Sequence, residues 1–592
     1  MFRRQGATLD ADAKYPADLK ELGYFVDLNG CIRRIEAPEH FFDFFYTNND
    51  RHNEVRGEAM RVCQRREVMS RLAALGLKEL YLPARSNSKP VGPHVPILAP
   101  AAEVLKTRKR VIVVINDDTH QDLAILAYRE LQREGGLNGG SVVNFVKGLV
   151  NRTQTNTSSD RREKLARDGA RIEKDDHIPG LIVLNTGQLL YSHKFNTALS
   201  MRSWLALPRK SITHDPVKIH EIENHIAGHR TPSEHIKTVF DKVIKDPQFV
   251  SPEAEVYVVA IENGVEKLIE ILDQDLYKYA DRITALAFMQ SNVGGHQIHN
   301  PDLKAFLHTR ARHWETVQVG SADPNQCKAV PSDYISKWLS TPKPKTPINW
   351  LETVDGGFGL RADTPLANLP ETKVATAATE ASTSDDGFQD AIPICPTFGG
   401  GDTWVGECVF TQSIVQQAVL EFFEDVARDP KGFCNPEFSF DNPKSSEEPI
   451  TFSSTSQYDA IPDDMLNPEK KAVLVAQEEL SQLEVAFNAV RQDDPDLAPG
   501  LLRLRNRIKK KDAELRDLEE KALATGALGA GAAQDVRDNW KHHQMKGEEW
   551  TEKKPGPPIP FAGVQADSSV VASAGCLDTV EEELAKLELE ED

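Results

Sequence analysis

Four short, unbroken runs of mainly apolar residues, separated by helical patterns, constrain this chain more than any other feature. They are Arg110-Val-Ile-Val-Val-Ile115, Gly180-Leu-Ile-Val-Leu-Asn185, Glu255-Val-Tyr-Val-Val-Ala-Ile261 and Ile283-Thr-Ala-Leu-Ala-Phe-Met289. A strand with one wet face alternates in polarity, whereas a strand that is apolar on successive residues must be covered on both faces. Helical patterns lie between the runs, at about 121–133, 141–150, 233–245, 265–279 and 411–428. Together they predict an α/β fold with a doubly wound, mostly parallel sheet. Ala391-Ile-Pro-Ile-Cys395 is a weaker fifth run, and Pro393 places it at an edge.

Around this core the punctuation is clear. Asn29-Gly30 between two alternating runs predicts a hairpin over 24–35. Val55, Ala59, Val62, Val68, Leu72 and Leu75 predict a helix from Asn53 to Leu75, closed by Gly76. Leu80-Tyr-Leu82 before Pro83 reads as a short strand. Residues 151–178 are polar and charged, and 372–390 are of low complexity, so both read as insertions. Leucines at a/d spacing fill 468–525 on either side of Asp493-Asp-Pro-Asp-Leu-Ala-Pro-Gly500, which predicts a helical, coiled-coil hairpin. The expected organisation is a disordered start (1–20), an α/β domain (21–435), a linker (436–467), the hairpin (468–525) and a largely disordered acidic tail (526–592).

Charge sharpens this division. Residues 1–345 carry 48 Lys+Arg against 43 Asp+Glu, a net of +5, and residues 346–592 carry 22 against 47, a net of −25. That is a balanced folded surface followed by acidic matter, and no general basic nucleic-acid footprint is present. Direct nucleic-acid binding is therefore not expected, and the basic stretch Arg503–Lys511 reads as the outer face of the hairpin. No apolar run is long enough to span a membrane, and Met1-Phe-Arg-Arg4 leads into polar residues rather than a signal sequence. Seven scattered cysteines without a CxxC fit reduced thiols in nucleus or cytosol.

The chemistry-bearing segment is Ala260-Ile-Glu262-Asn263-Gly264. It lies between a buried strand and an amphipathic helix, which is the setting of the G-x-S-x-G nucleophile elbow. The closing glycine is present, but Glu262 occupies the nucleophile position, and a carboxylate cannot do the acyl chemistry of an activated serine. His220, His225 and His229 lie near Glu221 and Glu223 without an H-E-x-x-H, and read as solvated residues rather than metal ligands. His296, His299, His308 and His313 follow the fourth run and read as polar loop residues. No metal or cofactor is expected.

Several motifs taken together resemble the Argonaute-binding-protein (Arb-type) domain family. They are Asn49-Asp-Arg-His-Asn-Glu54 with the helix from Ala59, Gly76-Leu77 with Leu82-Pro83, and Gln121-Asp-Leu123. Asn185-Thr-Gly-Gln188, Ser203-Trp-Leu-Ala-Leu-Pro-Arg209 and Val405-Gly-Glu-Cys-Val-Phe-Thr-Gln412 with Phe422-Phe423 complete the set. The resemblance spans about 20–435. It implies an α/β-hydrolase-like fold and, where the triad is intact, serine hydrolysis. Here Glu262 stands at the serine position and Gly406-Glu407 where a His-Glu pair is expected. The resemblance therefore implies a pseudo-hydrolase acting as an interaction component. The implied setting is Argonaute-linked RNA silencing and heterochromatin, nuclear or cytoplasmic, with the Argonaute complex or chromatin silencing factors as partners. Two alternatives are carboxylate chemistry at Glu262, assisted by His296 or His299, and a regulatory domain associated with a histone deacetylase.

Overall fold

The apolar runs become neighbours in one sheet because each can bury two faces only between layers of helices. The computed structural model describes residues 10–119, 121–153, 178–316, 322–331, 334, 393–438 and 467–528, with short strands at 559–561 and 564–566. The chain divides into two units, Met1–Asp459 with Gln482–Arg507 and Ala460–Ser481 with Ile508–Asp592.

The first unit begins with an antiparallel hairpin, β1 (Tyr24–Val26) and β2 (Ile32–Arg34). Helix α1 (Asp50–Ala74) follows, its first turn capped by Asn49, which accepts from the Arg51 N–H. Gly76 ends it at φ 87°, and Leu77 N–H returns to the Leu72 carbonyl. Then come β3 (Lys78–Leu82), β4 (Val95–Ala99), β5 (Arg110–Ile115), α2 (Val143–Thr153) and β6 (Gly180–Val183). The small pair β7 (Leu190–Ser192) and β8 (Thr197–Leu199) leads to α3 (Pro232–Val239), β9 (Glu255–Ile261), α4 (Asn263–Tyr279) and β10 (Ala285–Met289). The unit's α/β part closes with α5 (Pro301–Arg310), β11 (Ala311–Glu315), β12 (Cys327–Ala329), β13 (Thr397–Gly399) and α6 (Ser413–Arg428).

Nine strands form one sheet in the order β12-β13-β11-β10-β9-β5-β6-β4-β3. The six from β13 to β6 run parallel. The edges β12, β4 and β3 join antiparallel. Side chains alternate between two cores. Ile112, Val114, Tyr257, Val259, Ala285 and Ala287 enter one, with residues of α1, α2 and α6. Val111, Val113, Val256, Val258, Leu286 and Phe288 enter the other, with residues of α3, α4 and α5. This two-sided burial is the physical content of the unbroken apolar runs.

The order of the strands positions the site. After β5 the chain steps to β6 on one side, then returns to place β9 on the other side of β5. The crevice beyond the carboxyl ends of β5 and β9 is therefore the topological switch point, where ligands of open α/β sheets bind.

Helices α7 (Pro468–Ala489) and α8 (Ala498–Ala524) occupy the predicted hairpin region. Within the first unit, Phe487, Val490, Leu497 and Leu501 cluster with Phe25 and Ile35 of the N-terminal hairpin. The Leu28 N–H donates to the Ala489 carbonyl at 2.9 Å, Lys20 pairs with Asp496 at 2.5 Å and Arg507 pairs with Glu39. Within the second unit, Val473 and Ala476 pack with Leu515 and Ala522, and Lys511 pairs with Glu479. With Arg503 donating to the Glu36 carbonyl and Arg505 over the Phe487 ring, four of the basic side chains in 503–511 face protein groups.

Several expectations need correction. Residues 10–20 are held in place, not disordered: Asp12 is buried and takes two hydrogen bonds, of 2.8 and 2.9 Å, from Arg51. The helix expected over 121–133 shrinks to one turn, Tyr128–Leu131, because the loop before it is pinned by hydrogen bonds to its neighbours. The last parallel strand is Thr397–Gly399 and not 391–395, and it is internal, between β11 and β12. β11 is a strand that reads as loop, since it carries two polar residues, a half-buried Arg312 and a buried His313. Arg312 lies over Phe422 and Phe398, with its guanidinium carbon 4.5 and 5.4 Å from the ring centres. Residues 154–177 of the first insertion, all of the second, most of the linker and nearly all of the tail lie outside the described residues.

Candidate functional site

Strand β9 ends at Ile261, and helix α4 begins at Asn263. The whole reversal falls on Glu262, at φ 48° and ψ −120°. A non-glycine residue held at positive φ costs on the order of 1–3 kcal/mol and persists only where the surroundings enforce it. Here the Glu262 N–H donates to the Met289 carbonyl of β10, and its carbonyl accepts from Val265 N–H. Gly264 explains why the turn can be so tight. A β-carbon there would lie 2.7 Å from the Ile115 carbonyl oxygen and 2.8 Å from that of Asn116. The helix thus rests directly on the backbone at the end of β5.

The other predicted position arrives from far along the chain. A β-carbon on Gly406 would stand 2.9 Å from Glu262 Oε1 and 2.5 Å from Gln290 Cγ. The structure therefore brings together all four singled-out residues, Glu262, Asn263, Gly264 and Gly406. The Glu262 carboxylate lies against the place where a side chain at 406 would begin.

Sequence reasoning missed part of the surroundings. Asn116, Asp117 and Asp118 leave the end of β5 directly beside Glu262. Asn263 Nδ2 donates to Asp118 Oδ1 at 3.1 Å. Gln121 Nε2 donates to Glu407 Oε2 at 3.0 Å, and Gln290 Oε1 accepts from the Thr316 N–H at 2.9 Å. The signal for the aspartates was available, since they follow the first core strand immediately and strand ends host function in such sheets. Trp404, 77% exposed, stands two residues before Gly406 with the Arg129 guanidinium 5.5 Å from its ring centre.

The electrostatics are dominated by burial and like charge. Burial, and then the charges of Asp117 and Glu407, push the Glu262 carboxyl up to about 7. Burial also raises Asp118, against the hydrogen bond from Asn263. Glu262 itself makes no side-chain hydrogen bond among the described residues. Its folded state holds the proton more firmly than the unfolded chain, so this group contributes stability below about pH 4.5 that is lost as pH rises to about 7. Discounted for partial exposure, the loss is about 2 kcal/mol. Glu262→Gln is expected to be more stable than the parent by that amount at pH 8 relative to pH 4. Urea unfolding of both proteins at the two pH values measures it, and a pH-independent difference would contradict it.

The histidines lie elsewhere. His299 sits on Asp273, 3.1 Å away and 84% exposed, eleven residues down α4 from Glu262 and so about 16 Å along the helix. His296 is exposed. His229 is not solvated as read: it is fully buried, with its Nδ1 2.8 Å from Nδ1 of His235. His308 and His313 are also buried, in α5 and β11 rather than in loops. No group of three or more histidine, cysteine or acidic residues suited to hold a metal occurs among the described residues.

The quoted family motifs hold loops and helices in place around the sheet. Asn53 Oδ1 accepts from the Tyr46 and Thr47 N–H groups. Gln188 Oε1 accepts from the Leu123 N–H and from Asn185 Nδ2. Ser203 Oγ donates to Glu58 of α1 at 2.8 Å. A β-carbon on Gly187 would meet the Gln121 carbonyl oxygen at 2.2 Å. Asn53 fixes the loop that enters α1, Ser203 ties the Met201–Leu205 turn to α1, and Gly187 and Gln188 join the loop after β6 to the loop after β5.

Fold and site together define an open, mostly parallel α/β protein with a strained strand–turn–helix at its switch point. The Arb2 domain model matches residues 15–319, just over half of the chain, and the chain belongs to that family. The match contains Glu262, Asn263 and Gly264 and ends before Gly406. Among solved structures, a histone deacetylase from Saccharomyces cerevisiae is similar at 12% identity, over 44% of this chain and 82% of that one, with a TM-score of 0.22. No curated protein sequence matches. No helix among the described residues is long and apolar enough to cross a membrane.

Proposed function

We propose that this protein is an interaction module on an α/β-hydrolase-like scaffold that no longer hydrolyses, working as part of a protein complex. One observation carries the reading: Glu262 occupies the strained strand-to-helix turn, and its carboxylate lies 2.9 Å from where a side chain at Gly406 would begin. Acyl transfer needs a hydroxyl or thiol at the first place and an imidazole at the second. Both roles are vacant, and each substitution suits the other. The strained backbone and the Gly264 contact persist without the chemistry they serve in hydrolases, because they also hold α4 on the sheet.

Membership of the Arb2 family supports work in an assembly. The finer reading is a scaffold role in Argonaute-linked RNA silencing and heterochromatin formation, nuclear or cytoplasmic, with a histone-deacetylase complex as the alternative host. The test is quantitative co-purification of the tagged full chain from native extract, with small-RNA and heterochromatin marks followed in cells lacking it. Enrichment of Argonaute or silencing subunits and altered marks are expected. Unchanged marks and the absence of every silencing factor would remove the proposal.

Carboxylate chemistry at Glu262 is the second reading, favoured by a carboxyl that titrates near neutrality in a crevice. The assisting histidines suggested for it, His296 and His299, lie on the surface away from the turn. Turnover of activated esters that is abolished in Glu262→Gln would revive it.

A further inference from the structure

A cluster of arginines beside the crevice holds more positive charge and more donors than its protein partners use. Glu58, Arg61 and Arg65 lie on one face of α1 at helical spacing. Arg65 is fully engaged as a bridge, donating to Glu58 Oε1 at 2.7 Å and to Asp122. Both Glu58 oxygens are occupied, Oε1 also by Ser203 Oγ and Oε2 by Arg61 Nε at 3.2 Å. Asp122 Oδ2 takes Arg65 and the Tyr128 hydroxyl.

That leaves Arg61 and Arg202. Arg61 is 7% exposed and makes only the Nε contact. Arg202, half-buried on the five-residue helix Met201–Leu205, makes no side-chain hydrogen bond among the described residues. Their guanidinium carbons stand 6.0 and 5.7 Å from the centre of the same Tyr128 ring. Three arginines face two carboxylates, so the cluster keeps one net positive charge. Burial, and then the charge of Arg61, work against the charged form of Arg202. An anion accepting from both guanidinium forks would offset the unfavourable effect of the Arg61 charge on Arg202.

We propose that Arg61 and Arg202, against the Tyr128 ring, form a binding site for a phosphate-type oxyanion. Tetrahedral oxygens accept from two guanidinium forks approaching from different elements, one on α1 and one on the Ser200–Leu205 turn. Glu58 and Asp122 hold Arg65 and orient Arg61, so they complete the frame. The site does not depend on whether Glu262 has any chemistry.

Calorimetric titration of the full chain with sodium phosphate, against sodium chloride and acetate at equal ionic strength, tests this. Saturable binding of phosphate is expected, with a rise in melting temperature that the control salts do not give. Arg202→Ala should weaken binding about tenfold or more, and Arg202→Lys by less, because lysine keeps the charge but not the fork. Circular dichroism confirms that the variants fold. O-phosphoserine distinguishes the source: tighter binding than inorganic phosphate assigns the site to a phosphorylated chain, and weaker binding assigns it to free phosphate. No saturable binding, or equal binding by Arg202→Ala, would overturn the proposal. In that case Arg202 serves only to turn onto Asp122 Oδ1, which has no donor among the described residues.

Discussion

Replacing Gly264 by alanine is expected to cost about 3 kcal/mol or more of folding stability. The added methyl would meet two backbone carbonyl oxygens, of Ile115 and Asn116, at 2.7 and 2.8 Å. Neither can turn aside as a flexible side chain can, because both belong to the end of central strand β5. Relief requires lifting α4 from the sheet, which breaks the packing of Val265 and Leu268 in the core. Gly76→Ala is the control. Its site has open space but φ 87°, so only left-handed backbone strain of about 1 kcal/mol is expected. Urea unfolding with constant slope measures both. Equal losses at the two positions would mean that close approach is not what fixes Gly264.

The second large effect is acid sensitivity. Three imidazoles are locked neutral by hydrogen bonds they must accept. Asn185 N–H donates to His235 Nε2 at 3.2 Å, which leaves the His235 proton on Nδ1, facing His229. Ser291 N–H donates to His313 Nε2 at 2.9 Å. Burial lowers His229 to about 4, His313 to about 3 and His235 well below its usual value. In the unfolded chain all three take up protons near pH 6.5. Their contribution to stability is therefore full above pH 6.5 and is lost as pH falls toward 4. Each removes about 1.4 kcal/mol per pH unit, so the three together remove about 4. Glu262 opposes them with at most one such contribution over pH 7 to 4.5. Since domains are stable by only about 5–15 kcal/mol, unfolding is expected at about pH 4–5, with net proton uptake. His313→Gln should shallow the slope by about one proton, since an amide oxygen still accepts from Ser291. A urea midpoint that stays flat between pH 7 and 5 would contradict the assignment.

The readable parts of this protein are those whose signal is local. The unbroken runs at 110–115, 180–183, 255–261 and 285–289 are strands because each side of each strand is apolar, and that is written in consecutive residues. The reversal at 260–264 was equally legible, since a strand pattern meets a helix pattern with a glycine at the junction. β11 was not legible, because Arg312 is covered by Phe398 and Phe422 and His313 meets Thr397, all of which the chain supplies much later. His229 failed for the same reason: a histidine among polar neighbours reads as solvated until His235, itself held by Asn185, is seen to meet it. The helix over 121–133 failed because its apolar residues serve a pinned loop, and periodicity cannot tell that from a helix.

The sequence by itself determined the kind of sheet, the strand–turn–helix at Glu262 and the need for a small residue at Gly264, since these follow from periodicity and backbone sterics within a few residues. Only the tertiary structure decided what meets what. Strand order made the ends of β5 and β9 the crevice, set Gly406 against the Glu262 carboxylate and brought Arg202 to the same tyrosine ring as Arg61. Those meetings depend on how layers close over a shared core. That closure minimises the exposed apolar surface of the whole chain, and no segment of it carries that information alone.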